Sequence, residues 1–230
     1  MFKKLKPGLF VGALALLLTQ AAAAEGYKRI YEVSITNITK GQTFTPQLVT
    51  THTNRVSLFE VGEAANDELA TLAESGNTGP MTALLQAQGI KVADAQTIGG
   101  LLGPGQTATI SVEAFPFTRR LSVAAMLIPT NDTFVGGDAL RLPRRGSSTF
   151  YLQAYDSGTE FNDQNCLNIP GPRCGGEGDS APAATDEGFV HISNGFHDLG
   201  TQDAAGNEIL GPFTYDWRNP VAKVVVKRIY

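Results

Sequence analysis

Two loops of this sequence carry carboxylates in a pattern that could hold a metal ion. Asp132 lies in the stretch PTNDTF, and Asp156 and Glu160 lie in YDSGTE, four residues apart. Each stretch follows a strand-like run, and two such strands with one antiparallel strand between them would bring both loops to the same end of a sheet. Three carboxylates in one place repel each other unless a cation lies among them. Because this set offers only oxygen ligands, it favours Ca²⁺ over zinc or copper.

The alternative is that these acids only belong to turns. Asp and Gly are common turn residues for conformational reasons alone, and Asp163 adds one more acid to the same segment. The residues by themselves leave both interpretations open.

The three histidines of the sequence are candidate residues for an alternative, catalytic function. His191 and His197 lie six residues apart in HISNGFHD, a spacing that fits neither a strand face nor a helix face, and His52 stands alone. The simplest interpretation is that all three are hydrogen-bonded or exposed residues. The Gly-x-Ser-x-Gly motif of a nucleophile elbow is absent from the sequence. We therefore expect a protein that is not an enzyme; the alternative is a secreted hydrolase in which His191 or His197 meets Asp132 or Asp156.

The elements that would position these residues are mostly strands. Tyr27–Asn37 and Thr107–Ala114 alternate apolar and polar residues with a period of two, which is typical of half-buried strands. Gly- and Pro-rich turns separate several of the other runs. Six further segments read as strands: 55–61, 119–127, 134–142, 149–155, 189–193 and 221–229. The sequence thus predicts a mainly β protein, an antiparallel sandwich.

Two short helices form an insertion before Thr107. The segment Asn66–Glu74 begins with a residue suited to cap a helix, and Pro80–Gln88 begins with a proline suited to a first helical turn. The apolar residues Leu69 and Leu72 lie three apart in the first of them, so they would share one buried face.

A second insertion, residues 162–186, is rich in Gly, Pro, Asn and Asp and reads as a long loop. It contains both cysteines of the chain, Cys166 and Cys174. In an oxidising compartment an even pair of cysteines predicts a disulfide. A metal site built on the two cysteines is the alternative.

The first 24 residues read as a secretory signal peptide. Three lysines precede an apolar run from Leu9 to Leu18, and a run of alanines ends at Ala24, where we expect cleavage. The mature domain would then span residues 25–230 and be secreted or periplasmic. No later stretch holds 18 consecutive apolar residues, so we expect no transmembrane helix.

The charge of the mature chain argues against one class of partner. Removing the three signal-peptide lysines from 18 basic residues leaves 15, against 22 acidic residues. An acidic protein is a poor ligand for the polyanionic backbone of nucleic acids. It is a reasonable ligand for a cation or a basic partner.

Five blocks of the sequence follow one another in the order ITNITKGQTFTPQLVTTH, LFEVGEAANDELATLAESG, PTNDTFVG, YDSGTE and YDWRNPVAKVVVKRI. In this order they resemble the spondin domain of the extracellular-matrix protein F-spondin and of secreted bacterial proteins. PTNDTFVG corresponds to a family loop with Ser-Pro-Asp-Trp before Val-Gly, and YDSGTE to a Trp-Asp-Ala-Gly-Thr-Asp turn. The chain departs from the family at Thr133, where the family has Trp, and at Glu160, where it has Asp.

The resemblance implies a β-sandwich similar to C2 domains, with Ca²⁺ bound by loop acids at one end. The family's three acidic ligands fall on Asp132, Asp156 and Glu160, and the longer Glu160 retains the carboxylate. The resemblance also implies extracellular recognition or adhesion. On this basis we expect a monomer that binds one Ca²⁺ and, as partner, an extracellular protein, a glycan or a lipid surface.

Overall fold

The computed structural model describes residues 28–196, 201–202 and 209–230. The predicted signal peptide and His197 lie outside these ranges. Within them the strands are β1 Arg29–Asn37, β2 Thr43–Phe44, β3 Gln47–His52, β4 Val92–Ile98, β5 Thr107–Ala114, β6 Arg120–Ile128, β7 Thr133–Arg141, β8 Ser147–Asp156, β9 His191–Ile192 and β10 Ala222–Arg228. The helices are α1 Asp67–Ser75, α2 Gly79–Gln86 and α3 Pro212–Tyr215, with a 3₁₀ turn at Gly89–Lys91.

The strands form one antiparallel sheet. Hydrogen-bonded neighbours follow the order β4-β3-β6-β7-β8-β10-β1-β5, while β2 pairs with β6 and β9 with β8. The two ends of this path meet, because the Asp94 carboxylate on β4 accepts a hydrogen bond from the backbone N–H of Glu113 on β5, 2.9 Å away. The predicted antiparallel, mainly β fold is confirmed. The division into two packed sheets is not, since one continuous hydrogen-bonded path joins the strands and curls back on itself.

The interior of the curled sheet is filled by alternate residues of its strands. Tyr31, Val33 and Ile35 of β1 are buried, as the period of two predicts. A second apolar cluster lies outside the sheet, under α1 and α2, where Leu69 and Leu72 pack with Phe134 of β7. The Asn66 side chain accepts a hydrogen bond from the backbone N–H of Leu69, so the predicted helix cap is confirmed. No helix in the described ranges has the length and apolarity that crossing a bilayer would need.

Two parts of the predicted strand pattern are wrong. The segment 55–61 forms no strand. The strands β3 and β4 were not predicted, because neither alternates: all six residues of β3 are buried, and only Ala95 of β4 is. Val49 of β3 packs into the interior cluster and Leu48 into the cluster under the helices, so both faces of β3 are covered, and a strand covered on both faces loses the period of two.

The long loop folds against the end of the sheet at which β8 finishes. Cys166 and Cys174 form the predicted disulfide, with an S–S distance of 2.05 Å. Residues 162–186 contain no helix or strand, as expected. Ile169 is nevertheless fully buried, and the backbone N–H of Ser180 donates to the Glu74 carboxylate at 2.9 Å. These contacts hold the loop beside α1 and beside the acidic loops described next.

Candidate metal centre

The sheet brings the two acidic loops together. β6, β7 and β8 are consecutive neighbours, so the loop that precedes β7 and the loop that follows β8 leave the same end of the sheet. Asp132 is the last residue before β7, and Asp156 is the last residue of β8. Thr133 pairs with Asp156 across the ladder, and the backbone N–H of Ser157 donates to the carbonyl of Asp132 at 3.2 Å. The predicted strand arrangement is therefore confirmed.

Asp132 is fully buried and is the anchor of the second loop. Its Oδ2 accepts hydrogen bonds from the Ser157 hydroxyl at 2.9 Å and from the backbone N–H groups of Thr159 at 2.8 Å and Glu160 at 3.1 Å. Its Oδ1 is buried and has no hydrogen-bond partner. One oxygen of the carboxylate thus shapes the 156–160 turn, while the other remains free to bind something else.

Asp156 and Glu160 differ in how their oxygens are used. Asp156 Oδ1 accepts from the backbone N–H of Gly158 and Oδ2 from the side-chain amide of Asn162, at 2.9 and 2.8 Å. Glu160 is only 3% exposed, and neither of its carboxylate oxygens makes a hydrogen bond of ordinary geometry. A buried carboxylate without partners is costly. Such a group calls for an explanation.

The electrostatics of the loops disfavour the charged forms of these acids. Burial, followed by the negative charge of Asp156, raises the pKa of Asp132 to about 8, against the opposing hydrogen bonds from the turn. Burial also raises the pKa of Glu160 to about 7, although the nearby Ser180 hydroxyl opposes the rise. No lysine or arginine in the described ranges forms an ion pair with any of the three carboxylates. Protons or a bound cation must therefore offset this charge.

Asp163, the fourth acid of the segment, is a turn residue. Its Oδ1 accepts from the backbone N–H of Asn165 at 2.8 Å and from the Asn131 amide at 3.3 Å. Its Oδ2 accepts from Asn168 at 3.2 Å. The turn interpretation is thus correct for this residue, and it lines a cleft of about 250 Å³ together with Glu160 and Asn131.

Sequence reasoning missed Glu187, and it named His191 only as a possible partner of Asp132 or Asp156 in the hydrolase alternative. The carboxylate of Glu187 and the imidazole of His191 converge on Asp156, with one ligand atom from each residue within 4.8 Å of the others. Among the described residues, this is the one group of three potential metal ligands whose atoms lie this close together. The sequence offered no spacing that would find it, because the long loop separates these residues from Asp156.

The hydrolase alternative requires that His191 or His197 meet Asp132 or Asp156, and the structure brings His191 to Asp156. His191 Nε2 lies 3.5 Å from Asp156 Oδ1, so a histidine does reach one of the acids. The neighbouring hydroxyl, that of Ser157, donates to Asp132 instead. His191 makes no hydrogen bond to a serine or threonine hydroxyl in the described part of the chain. In the described part of the chain, therefore, no serine or threonine nucleophile is paired with His191.

A comparison with protein-family models finds the Spondin_N family over residues 26–164, which is more than half of the chain. The chain belongs to the spondin family. The matched residues include all three predicted ligands and end before Glu187 and His191. No curated protein matches the chain. Membership supports an extracellular module, and the spondin domain is not a known enzyme family.

The described spondin domain extends beyond the matched residues. β10 pairs with β1 on one side and with β8 on the other, so it lies within the sheet rather than after it. The register joins Val224 to Ile35 of β1 and to Phe150 of β8. The last resembling block, YDWRNPVAKVVVKRI, therefore completes the same sheet that carries the acidic loops.

Proposed function

We propose that this spondin domain is an exported, non-enzymatic recognition module that binds one Ca²⁺ through Asp132, Asp156 and Glu160. One observation carries the proposal: a buried trio of carboxylates in which Asp132 Oδ1 and both Glu160 oxygens have no hydrogen-bond partner. Oxygen atoms of this kind are the ligands that Ca²⁺ takes in proteins.

Asp132, Asp156 and Glu160 fit the ion in ligand chemistry. Their carboxylates do not already meet within 4.8 Å as one group, as the ligand atoms of Asp156, Glu187 and His191 do. The three carboxylates would supply part of the six to eight oxygens that Ca²⁺ requires, and backbone carbonyls and water would supply the rest. Binding must compete with the protons favoured by burial, since the pKa values of Asp132 and Glu160 lie near neutrality. The affinity should therefore be modest, on the order of 10⁻⁴–10⁻³ M, as in other extracellular modules.

The ion would act mainly on loop order. Asp132 already holds the 156–160 turn through Oδ2, so a cation on Oδ1 and on the Glu160 carboxylate would tie the same two loops together a second time. Neutralising the trio would also remove the repulsion between Asp132 and Asp156. A fixed set of loops at one end of a rigid sheet is a common way to present a binding surface.

The calcium site is tested by thermal unfolding of chelator-stripped protein titrated with CaCl₂. A ligand that binds only the native state raises the melting temperature as its concentration increases. We expect this rise in the wild type and its loss in Asp156→Ala. Glu177→Gln, which removes an exposed carboxylate of the long loop, is the matched control and should behave as the wild type. A wild type that does not respond to millimolar calcium, or an Asp156→Ala that responds fully, would refute the site.

The recognition role follows from the family and is tested separately. The expected partner is an extracellular protein, a glycan or a lipid surface. Glycan arrays, immobilised matrix proteins and lipid vesicles probed with and without calcium would separate these classes. Binding that requires calcium and is lost in Asp156→Ala would link the loops to recognition. Binding that ignores both would place recognition elsewhere on the sheet.

A further inference from the structure

Asp156, Glu187 and His191 form a group that the family match does not include. Glu187 and His191 lie beyond residue 164, where the match ends, while Asp156 lies within it. One ligand atom from each residue lies within 4.8 Å of the other two. The group adds an imidazole nitrogen to a region that otherwise offers only oxygen.

Backbone pairing fixes the position of the histidine. β9 is a two-residue strand that pairs with the end of β8, and His191 lies directly opposite Asp156. Opposite residues of an antiparallel pair extend to the same face of the sheet. Just before β9, the backbone N–H of Gly188 donates to the carbonyl of Gly158 at 2.8 Å. The chain also passes so close to Gly158 that a Cβ there would lie 2.3 Å from the Phe189 carbonyl oxygen.

The hydrogen bonds of the imidazole leave one nitrogen directed at the acid. Nδ1 lies 3.1 Å from the carbonyl oxygen of Ile192, and since a carbonyl can only accept, Nδ1 carries the proton. In the neutral ring Nε2 then has a lone pair. This atom is buried, lies 3.5 Å from Asp156 Oδ1, and makes no hydrogen bond. Histidines that bind metals commonly donate their other nitrogen to a carbonyl in this way.

The two carboxylates are held by a shared amide. Asn162 Nδ2 donates to Asp156 Oδ2 at 2.8 Å and to Glu187 Oε1 at 3.2 Å. Glu187 Oε2 is buried and has no partner. Asn162 thus orients both acids and leaves Glu187 Oε2 unpaired, as outer hydrogen bonds do around bound metals.

From this geometry we propose that Asp156, Glu187 and His191 bind a divalent transition-metal ion, Zn²⁺ in the first place, beside the calcium site. Ligands 2.0–2.1 Å from a tetrahedral zinc lie about 3.4 Å apart, which is close to the separation of Nε2 from Oδ1. An imidazole with two carboxylates suits zinc, and an all-oxygen set suits calcium. Water would take the fourth position.

The charges of the two sites are compatible. Asp132, Asp156, Glu160 and Glu187 carry four negative charges when ionised, which two divalent cations would balance. The competing explanation for the short approach of His191 to Asp156 is an ion pair with a protonated imidazole, and the experiment below separates the two.

The test is calorimetric titration of tag-free, chelator-stripped protein with ZnCl₂, after expression and export of the full chain. We expect one zinc per chain in the wild type. Removing an outer hydrogen bond around a metal weakens binding about 10–100-fold, so His191→Gln and Glu187→Gln, which remove ligands, should weaken it at least about 100-fold. Glu177→Gln, the exposed control from the same loop, should bind zinc as the wild type does.

A second readout reports the ligand itself. Co²⁺ in place of Zn²⁺ should give visible absorption in the wild type that His191→Gln removes. Absence of zinc binding in the wild type would overturn the proposal in favour of the ion pair. Zinc binding that survives in both His191→Gln and Glu187→Gln would overturn it in favour of a site elsewhere.

The zinc proposal and the calcium proposal can each be refuted independently of the other. Glu160→Gln should remove the calcium response and keep zinc binding, whereas His191→Gln should do the reverse. Asp156→Asn, whose carboxylate belongs to both sets, should remove both responses. Zinc binding without any calcium response would refute the proposed calcium function and leave the zinc site in place.

Discussion

Two buried polar clusters of this spondin domain use similar residues in opposite ways. The first lies at the start of β6, where His52, Ser122 and Asp138 form a chain of hydrogen bonds: His52 Nε2 is 2.7 Å from the Ser122 hydroxyl, which lies 2.8 Å from Asp138 Oδ1. The second is the set of acidic loops at the other end of β7. Both clusters contain carboxylates, yet only the second leaves ligand atoms without partners.

The first cluster is closed. His52 Nδ1 lies 2.7 Å from the carbonyl oxygen of Thr53, and the Asp138 oxygens also accept from Ser57 and from the backbone N–H of Leu58. Every polar side-chain atom of this cluster lies within hydrogen-bond distance of a partner atom. The acidic loops, by contrast, gather carboxylates whose charge the described residues do not balance. Satisfaction of hydrogen bonds, more than residue type, therefore separates a structural polar cluster from a candidate binding site.

The largest expected effect comes from removing the His52 side chain from the first, closed cluster. His52→Ala leaves a cavity and removes a partner of the Ser122 hydroxyl, so we expect a loss of about 3 kcal/mol or more in the free energy of unfolding. The loss should be the same with calcium and with chelator, as measured by urea unfolding. His191→Gln, at a partly exposed histidine, should cost about 1 kcal/mol or less. Equal losses in the two variants would contradict the distinction between the clusters.

The next effect concerns the acidic loops, the open cluster, whose carboxylates include atoms without hydrogen-bond partners. At a calcium concentration 100 times the dissociation constant, the ion should stabilise the wild type by about 2.7 kcal/mol. Asp156→Asn should lose this increment, because it removes one of the three charges. Asp138→Asn is the matched control from the closed cluster: it should be less stable in chelator but should gain the same increment from calcium. A calcium increment that disappears equally in both variants would mean that the increment depends on the overall stability of the domain and not on the acidic loops.

The sequence could predict the open cluster better than the closed one. Asp132, Asp156 and Glu160 lie in turns after strands with readable apolar patterns, and the resemblance adds their order. His52 lies in β3, whose six residues are all buried. The polar residues of this strand have partners that are distant in the chain, such as the Asp94 carbonyl, which accepts a hydrogen bond from the Thr50 hydroxyl. Such partners leave no period in the sequence, so β3 went unpredicted.

Glu187 escaped prediction for a related reason, and His191 was named only in the hydrolase alternative. Their meeting with Asp156 depends on the pairing of β9 with β8 across the long loop. Only two residues take part in that pairing, so the segment carries too short a pattern to indicate its partner. The segment 189–193 was predicted as a strand, but no feature of it indicated which edge it joins. Contacts that a long loop brings about are set by tertiary packing, which local patterns do not record.

A third effect concerns pH, because both acids of the open cluster have raised pKa values. An acid whose pKa is higher in the folded than in the unfolded chain stabilises the fold at low pH and loses this contribution as the pH rises towards the folded value. For Asp132, with a pKa of about 8 in place of 3.8, the loss falls between pH 3.8 and about 8. For Glu160, with about 7 in place of 4.5, it falls between pH 4.5 and about 7. Each group lowers stability by up to about 1.4 kcal/mol per pH unit there.

This pH dependence is measured by urea unfolding in chelator at several pH values. Burial lowers the pKa of His52, so that residue acts in the opposite direction, and a comparison of variants is needed to separate the two. Glu160→Gln should decline less steeply than the wild type between pH 5 and 7. Calcium should abolish the decline in the wild type, because the ion favours the ionised acids. Identical slopes in wild type and Glu160→Gln would show that this carboxylate ionises freely in the folded chain.

The smallest expected effect concerns the one methylene by which Glu160 is longer than an aspartate. Glu160 occupies the position at which the resembling family has Asp, and both of its oxygens are buried without hydrogen-bond partners. Glu160→Asp keeps the charge and shortens the reach, so its calcium dissociation constant should rise less than about tenfold, which corresponds to under about 1.4 kcal/mol. Glu160→Gln keeps the length and removes the charge, and it should lose most of the calcium response. If the two variants respond to calcium in the reverse order, the length of this side chain rather than its charge determines binding, and Glu160 fills the loop rather than holding the ion.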